Sequence, residues 1–201
     1  LKGERTDVVA LRNAAGFPND YGDARDAFYP FLQDYGEVFD AHCMATFNIT
    51  LTCPNGHQKI NPPPLSGVQY KCALDVNKLP NGCTSGTIEE LFKKNVMNDE
   101  TCPQCQQNIT NADYTVNLNG SHLIVEINRS VHMNGIRQPD QVLTINGCNA
   151  KRMNVFGIPM KMVGCMQHLA NNRGDSGHYV VWKRNDSGRW CVINDNHPLR
   201  M

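Results

Sequence analysis

Charge of either sign is not in excess in this chain: nineteen Lys and Arg balance nineteen Asp and Glu, a formal net charge of +0 over 201 residues. That lack removes the basic footprint by which a nucleic-acid binder gathers phosphates. No acidic tail is present either. No apolar run approaches the roughly 20 residues that a bilayer span requires, so a membrane-spanning role is not expected, and no secretory signal pattern opens the chain. Internal repeats and low-complexity tracts are also missing. Cysteine is absent before Cys43, which leaves the N-terminal stretch without a thiol nucleophile.

Beyond that point cysteine is abundant. Nine thiols are present, an odd number that cannot all pair within one chain. The simplest arrangement is an intracellular protein, cytoplasmic or nuclear, with some thiols on zinc and the rest buried. A secreted, disulfide-rich protein is the competing arrangement. Triplets such as Asn48-Ile49-Thr50 and Asn108-Ile109-Thr110 add little to it, because the chain is rich in Asn. The length suffices for one domain with a sizeable core.

Local patterning divides the chain into a helical start and a β-rich second half. Ala24, Ala27, Phe28, Phe31, Leu32 and Tyr35 repeat at helical spacing over 23–35, with Pro30 as a kink. Residues 44–52 alternate as a strand, with Ala45, Phe47, Ile49 and Leu51 on one side. A short strand is expected over 68–74. Thr87 and Glu90 form a capping box for a helix over 88–97. Further strands are expected at 113–118, 122–128, 141–145, 152–163 with a break at Gly157, 178–184 and 189–194. The acidic stretch Glu89, Glu90, Asp99 and Glu100 reads as a solvated face.

Cys102-x2-Cys105 is half of a zinc knuckle. Cys53-Pro54-Asn55-Gly56-His57 is its natural complement, since both follow strand-like segments in turn-forming sequence. Zinc takes four ligands in a tetrahedron from thiolate sulfur and imidazole nitrogen. Cys53, His57, Cys102 and Cys105 supply them in the expected set; the alternative is that Cys53 and His57 are ordinary turn residues and that Cys72 or Cys83 completes the site. Four protein ligands leave no open position for water, so the metal's role is structural.

The last quarter holds the second constellation. Gly177-His178-Tyr179-Val180-Val181-Trp182 runs to a turn at Asn185-Asp186-Ser187-Gly188, followed by Arg189-Trp190-Cys191-Val192-Ile193-Asn194-Asp195. This pattern predicts a β-hairpin, which returns Asn194 and Asp195 to His178. A histidine held by an amide or carboxylate is the base half of a catalytic triad.

These residues together resemble the ubiquitin-specific proteases, the papain-like cysteine deubiquitinases. Gly22-Asp23-Ala24-Arg25-Asp26-Ala27-Phe28 is similar to the family's Asp-Ala-x-Glu-Phe helix, with Asp26 for Glu and one extra residue before Phe28. Cys53 with Cys102-x2-Cys105 resembles the zinc knuckles of the fingers subdomain. Leu123-Ile124-Val125-Glu126-Ile127-Asn128-Arg129 is similar to a family strand that usually ends in Arg-Phe. Val163 to His168, Gly177-His178-Tyr179, Trp190 and Asn194-Asp195 resemble the histidine box. The resemblance implies an α+β, papain-like fold of thumb–palm–fingers type, truncated at its N-terminus. A thumb remnant would occupy about 1–45, zinc-ribbon-like fingers about 46–118, and a palm about 119–201.

The resemblance also implies roles. His178 would be the base, oriented by Asn194 or supported by Asp195. His168, Gly177 and Tyr179 would line the path of a ubiquitin tail. The substrate would be ubiquitin joined to a protein lysine, cut through a thioester. The family's nucleophile lies in a cysteine box before the Asp-Ala helix, and no such box occurs here. Cys43, Cys165 and Cys191 read as buried thiols rather than as relocated nucleophiles. The expected alternatives are therefore part of an active deubiquitinase, or a pseudo-deubiquitinase that binds ubiquitin or another protein without cutting. Nucleic acid is not an expected partner.

Overall fold

The computed structural model describes residues 36–38, 40–63, 66–80, 82–98, 100–129, 142–150, 152–170 and 177–194, with backbone alone for 131–133, 136–138 and 197–200. The helix expected over 23–35 and Asp195 lie outside the described residues. Within them the chain is rich in strands and has few helices.

The strand β1 (Ala45–Thr52) organises the first sheet. Its alternation places Ala45, Phe47, Ile49 and Leu51 in the core, each no more than 1% exposed. Strands β2 (Gln58–Ile60) and β3 (Gly67–Gln69) pair along one edge of β1, and β6 (Asn111–Leu118) pairs antiparallel along its whole length. The helix α1 (Ile88–Met97) covers the apolar face of this sheet. Thr87 Oγ1 accepts from the Glu90 backbone N–H, and the Glu90 carboxylate accepts from the Thr87 N–H, so the expected capping box is formed. Leu91, Phe92 and Val96 face the core. Asn95, also buried there, donates to the Asp75 carbonyl at 2.7 Å, which removes the cost of burying its amide.

Two parallel pairs link the halves of the chain. β4 (Lys71–Asp75) pairs with β7 (Ile124–Asn128), and β5 (Ser85–Gly86) with β10 (Thr144–Ile145). Both cross the expected boundary near residue 118, so the segment after β3 pairs with the C-terminal half. Lys71 and Glu126 form an ion pair between β4 and β7. β8 (Val131–Met133) and β9 (Ile136–Gln138) form a small antiparallel ladder.

A third link is made by the hairpin of β11 (Met153–Val155) and β12 (Ile158–Met160). Its two turn residues, Phe156 and Gly157, have φ of 54° and 76°. Such mirror-image turns match the twist of flanking strands, but a phenylalanine there is strained. The ring offsets this by packing edge-on to Phe47, Phe92 and Tyr114, at centroid distances of 5.9, 5.3 and 5.5 Å. Edge-to-face pairs of this kind add about 0.5–1.5 kcal/mol each beyond area burial.

The remaining sheet is an antiparallel meander of β13 (Gly164–Ala170), β14 (Gly177–Arg184), β15 (Trp190–Asn194) and β16 (His197–Arg200). The expected turn joins β14 to β15. Asn185 N donates to the Arg189 carbonyl, Gly188 N donates to the Asn185 carbonyl, and Asn185 Oδ1 accepts from Arg189 N. Gly188, at φ 81°, takes the left-handed position that this closure needs.

Candidate functional site

Two knuckle turns build the first cluster. In one, Cys53 follows β1, its carbonyl accepts from Gly56 N, and its N–H donates to the His57 carbonyl. In the other, Cys102 N donates to the Gln107 carbonyl and Gln106 N donates to the Cys102 carbonyl. Thr110 N bonds the Thr52 carbonyl where β6 joins β1, and this brings the two turns together. The ligand atoms of Cys53, His57, Cys102 and Cys105 all lie within 4.8 Å of one another. Cys53 Sγ is 3.6 Å from Cys105 Sγ, and Cys102 Sγ is 3.6 Å from His57 Nδ1. A zinc tetrahedron with bonds of about 2.3 Å to sulfur has edges of about 3.8 Å, so the four residues could hold a zinc ion.

The local electrostatics suit a metal. Burial pushes the Cys102 thiol up, but the backbone N–H groups of Cys105 and Gln104, with the Cys105 and His57 side chains, bring it down to about 6. Cys105 moves the other way: the Gln107 backbone N–H lowers it, and burial with the neighbouring Cys102 and Cys53 thiols outweighs that pull. Thiolate is the ligating form. Neither alternative ligand joins the cluster. Cys72 is buried on β4 and its thiol is pushed up to about 12 by that burial. Cys83 accepts from Lys94 Nζ at 3.6 Å, beside α1.

The second constellation sits on the meander. Residues directly opposite in an antiparallel ladder point to the same face. Leu169 pairs with His178, Cys165 with Trp182, Trp182 with Val192, and Arg184 with Trp190. His178, Trp182, Arg184, Trp190, Val192 and Asn194 thus share one face with Cys165 and Gln167. On that face His178 Nε2 hydrogen-bonds Asn194 Oδ1. An amide oxygen can only accept, so Nε2 carries a proton, and in the neutral ring the lone pair is on Nδ1. Trp182 Nε1 donates to Gln167 Oε1 at 3.1 Å, and the Arg184 guanidinium lies 5.2 Å from the Trp190 ring centroid.

The other face carries His168 and Tyr179, whose rings lie 4.7 Å apart. Sequence proximity groups these two with His178, whereas the ladder places them across the sheet from it. Gly177 opens β14 opposite Ala170. Arg129, just past β7, donates to the His168 carbonyl at 3.0 Å and ties β7 to β13.

Three further thiols differ from the expectation of buried cysteines. Cys165 is exposed, while Cys43 and Cys191 are half-buried. Cys165 lies opposite Trp182, four residues from His178 along β14, or about 13 Å at ~3.3 Å per residue. Cys191 lies opposite Lys183 and so points to the other face. The acidic stretch is engaged locally: Glu89 accepts from Gly157 N at 3.0 Å, Glu90 caps α1, and Glu100 pairs with Lys59 at 2.6 Å.

No protein-family model matches the chain, and no curated protein matches it in sequence. Solved structures do. A chain of the Ubp8–Sgf11–Sgf73–Sus1 SAGA DUB module aligns over 100% of this chain and 49% of its own, with a TM-score of 0.64 at 15% identity. At that identity the likeness is one of fold. The same module bound to monoubiquitin aligns over 96% of this chain and 46% of the other, with a TM-score of 0.58 at 15% identity. Bound to ubiquitin aldehyde, it aligns over 88% and 43%, with a TM-score of 0.52 at 14% identity. The chain spans about half the length of the chains it matches. Among the described residues no helix is long and apolar enough to cross a membrane.

Proposed function

We propose that this chain is the ubiquitin-engaging, base-bearing part of a thiol-dependent deubiquitinase. The observation that carries the reading is the His178–Asn194 hydrogen bond on a hairpin, in a fold related to deubiquitinase-module chains. In this reading Asn194 holds the imidazole with Nδ1 toward the reacting thiol. His178 takes the thiol proton and later returns it to the leaving lysine amine. Asp195 supports the pair, and Gly177 lies along the ubiquitin tail, while His168 and Tyr179 back the sheet from the opposite face. The β1–β2–β3–β6 sheet with its zinc knuckles acts as fingers, the meander as palm, and the residues before β1 as part of a thumb. When bound, zinc would cross-link the two knuckles, and it has no part in the chemistry.

A second reading is a ubiquitin-binding protein that does not cut. The placement of the thiols favours it. Cys53, Cys102 and Cys105 belong to the metal cluster, Cys72 is buried, and Cys165 stands well along the strand from His178.

Both readings predict ubiquitin binding, so the first test is titration of the zinc-loaded chain with ubiquitin. Saturable binding is expected. Salt-dependent binding to DNA or RNA without ubiquitin binding would overturn both. The second test uses ubiquitin with a thiol-reactive C-terminus. The chain alone is expected to remain unlabelled, and adduct formation at Cys43, Cys165 or Cys191 would sink the assignment of the thiol outside these positions.

A further inference from the structure

We propose that Cys148 and Cys165 form a reversible disulfide that staples the 142–150 segment to the sheet carrying His178. Neither thiol belongs to the metal cluster or to the His178–Asn194 pair, and the reduced protein leaves both unbridged.

The geometry converges on the two from independent contacts. Arg184 N donates to the Val163 carbonyl at 3.0 Å, two residues before Cys165. The guanidinium of the same Arg184 donates to the Asn149 carbonyl at 3.2 Å, one residue after Cys148. One residue therefore touches the neighbourhoods of both cysteines, that of Cys165 through its backbone N–H and that of Cys148 through its guanidinium. Cys165 projects from the face of the meander that also carries Arg184 and Trp190, because it pairs with Trp182. The turn that contains Cys148 is anchored to that face through Arg184. Within the described residues this turn is held at its start by Asn146 N bonding the Gly86 carbonyl and inside by Ala150 N bonding the Gly147 carbonyl.

Chemistry supports reaction at this pair. Cys165 is exposed, so an oxidant reaches it. Its thiol hydrogen-bonds its neighbour's carbonyl, Met166 O, at 3.6 Å. Burial raises this thiol first, the Cys148 thiol raises it further, and the Arg129 guanidinium lowers it. Both Cys148 and Arg129 are thus close enough to act on it electrostatically. The net direction is upward, so the thiolate that attacks peroxide forms more readily as pH rises.

The step balances with hydrogen peroxide as oxidant. The Cys165 thiolate attacks one peroxide oxygen, the O–O bond breaks, and hydroxide leaves and is protonated to water. The Cys148 thiol then displaces the sulfenic hydroxyl. An S–S bond forms and a second water departs. Both sulfurs are oxidised and one peroxide is reduced. A dithiol reductant reverses the change.

The test is a peptide map of the full, zinc-loaded chain, alkylated without reductant after brief exposure to hydrogen peroxide. A linked pair of peptides containing Cys148 and Cys165 is expected, lighter by two hydrogens than the sum of the free peptides and lost on adding dithiothreitol. In Cys148→Ser the link should vanish and Cys165 should proceed to sulfinic acid, because its resolving thiol is gone. In Cys191→Ser the link should persist. If Cys148 and Cys165 stay fully alkylatable, or if Cys165 pairs with any other cysteine, the proposal fails. Ubiquitin binding is not part of this readout, so the outcome is independent of the function proposed above.

Discussion

At His178, one hydrogen bond decides the chemistry available to the ring. Asn194 Oδ1 accepts from Nε2–H, which selects the tautomer with its lone pair on Nδ1. Replacing Asn194 with Ala removes the acceptor. Nitrogen-resolved NMR of the imidazole should then show a mixture of tautomers in place of one. Stability should fall by about 1 kcal/mol, the usual net value of such a bond. A single unchanged tautomer in Asn194→Ala would mean that another group orients the ring. The same scale explains the fourth ligand. His57 joins the cluster because its knuckle turn aims Nδ1 at Cys102 Sγ, whereas Cys72 faces the core from β4.

Single elements carry their own tests. The capping box of α1 ties Thr87 to Glu90 in both directions. Thr87→Ala should cost about 1 kcal/mol in urea unfolding. The Glu90 carboxyl is held below its ordinary 4.5, first by the Thr87 backbone N–H and then by the Thr87 side chain. A lowered folded value means stability that is present above about 4.5 and lost as pH falls through the folded value. The gap between the wild type and Glu90→Gln should therefore be widest near neutrality and close in acid. A gap that widens on acidification would contradict this sign. The β11–β12 turn offers a sharper comparison. Phe156→Ala and Phe156→Gly both remove a ring that touches Phe47, Phe92 and Tyr114. Only glycine relaxes the φ of 54°. Denaturant melts should rank Gly above Ala by about 1 kcal/mol, with both below the wild type.

For the whole molecule, the zinc cluster and the Phe156 plug do related work on one sheet. The cluster joins the start of β6 to the end of β1 through Cys53 and Cys102. The plug joins the C-terminal half to the same core through Phe47 and Phe92. Metal removal by a chelator should therefore lower the melting temperature of the chain and reduce its far-ultraviolet strand signal. Zinc should restore both, since metal binding to a knuckle pair is folding free energy. Cys102→Ser should lose zinc by elemental analysis and melt like the chelated wild type. A melting temperature indifferent to chelation would remove the structural role from the metal.

Much of this was legible in local sequence, because the signals involved are short-range. Alternation over β1 gave its buried side residue by residue. Thr87 and Glu90 marked the start of α1, and Asn185 to Gly188 marked the turn that returns Asn194 to His178. The Cys-x2-Cys spacing marked one knuckle and its chemistry. What the sequence determined by itself is thus the set of elements and the residue types able to bind metal or move a proton. The tertiary structure decided what depends on pairing between distant segments. It chose His57 over Cys72 and Cys83, ran β4 parallel to β7 across the expected boundary, and put Phe156 in a left-handed turn to fill a core. It also set His168 and Tyr179 on the face opposite His178. Adjacent residues in a strand point opposite ways, and which way becomes function only when the neighbouring strands are in register.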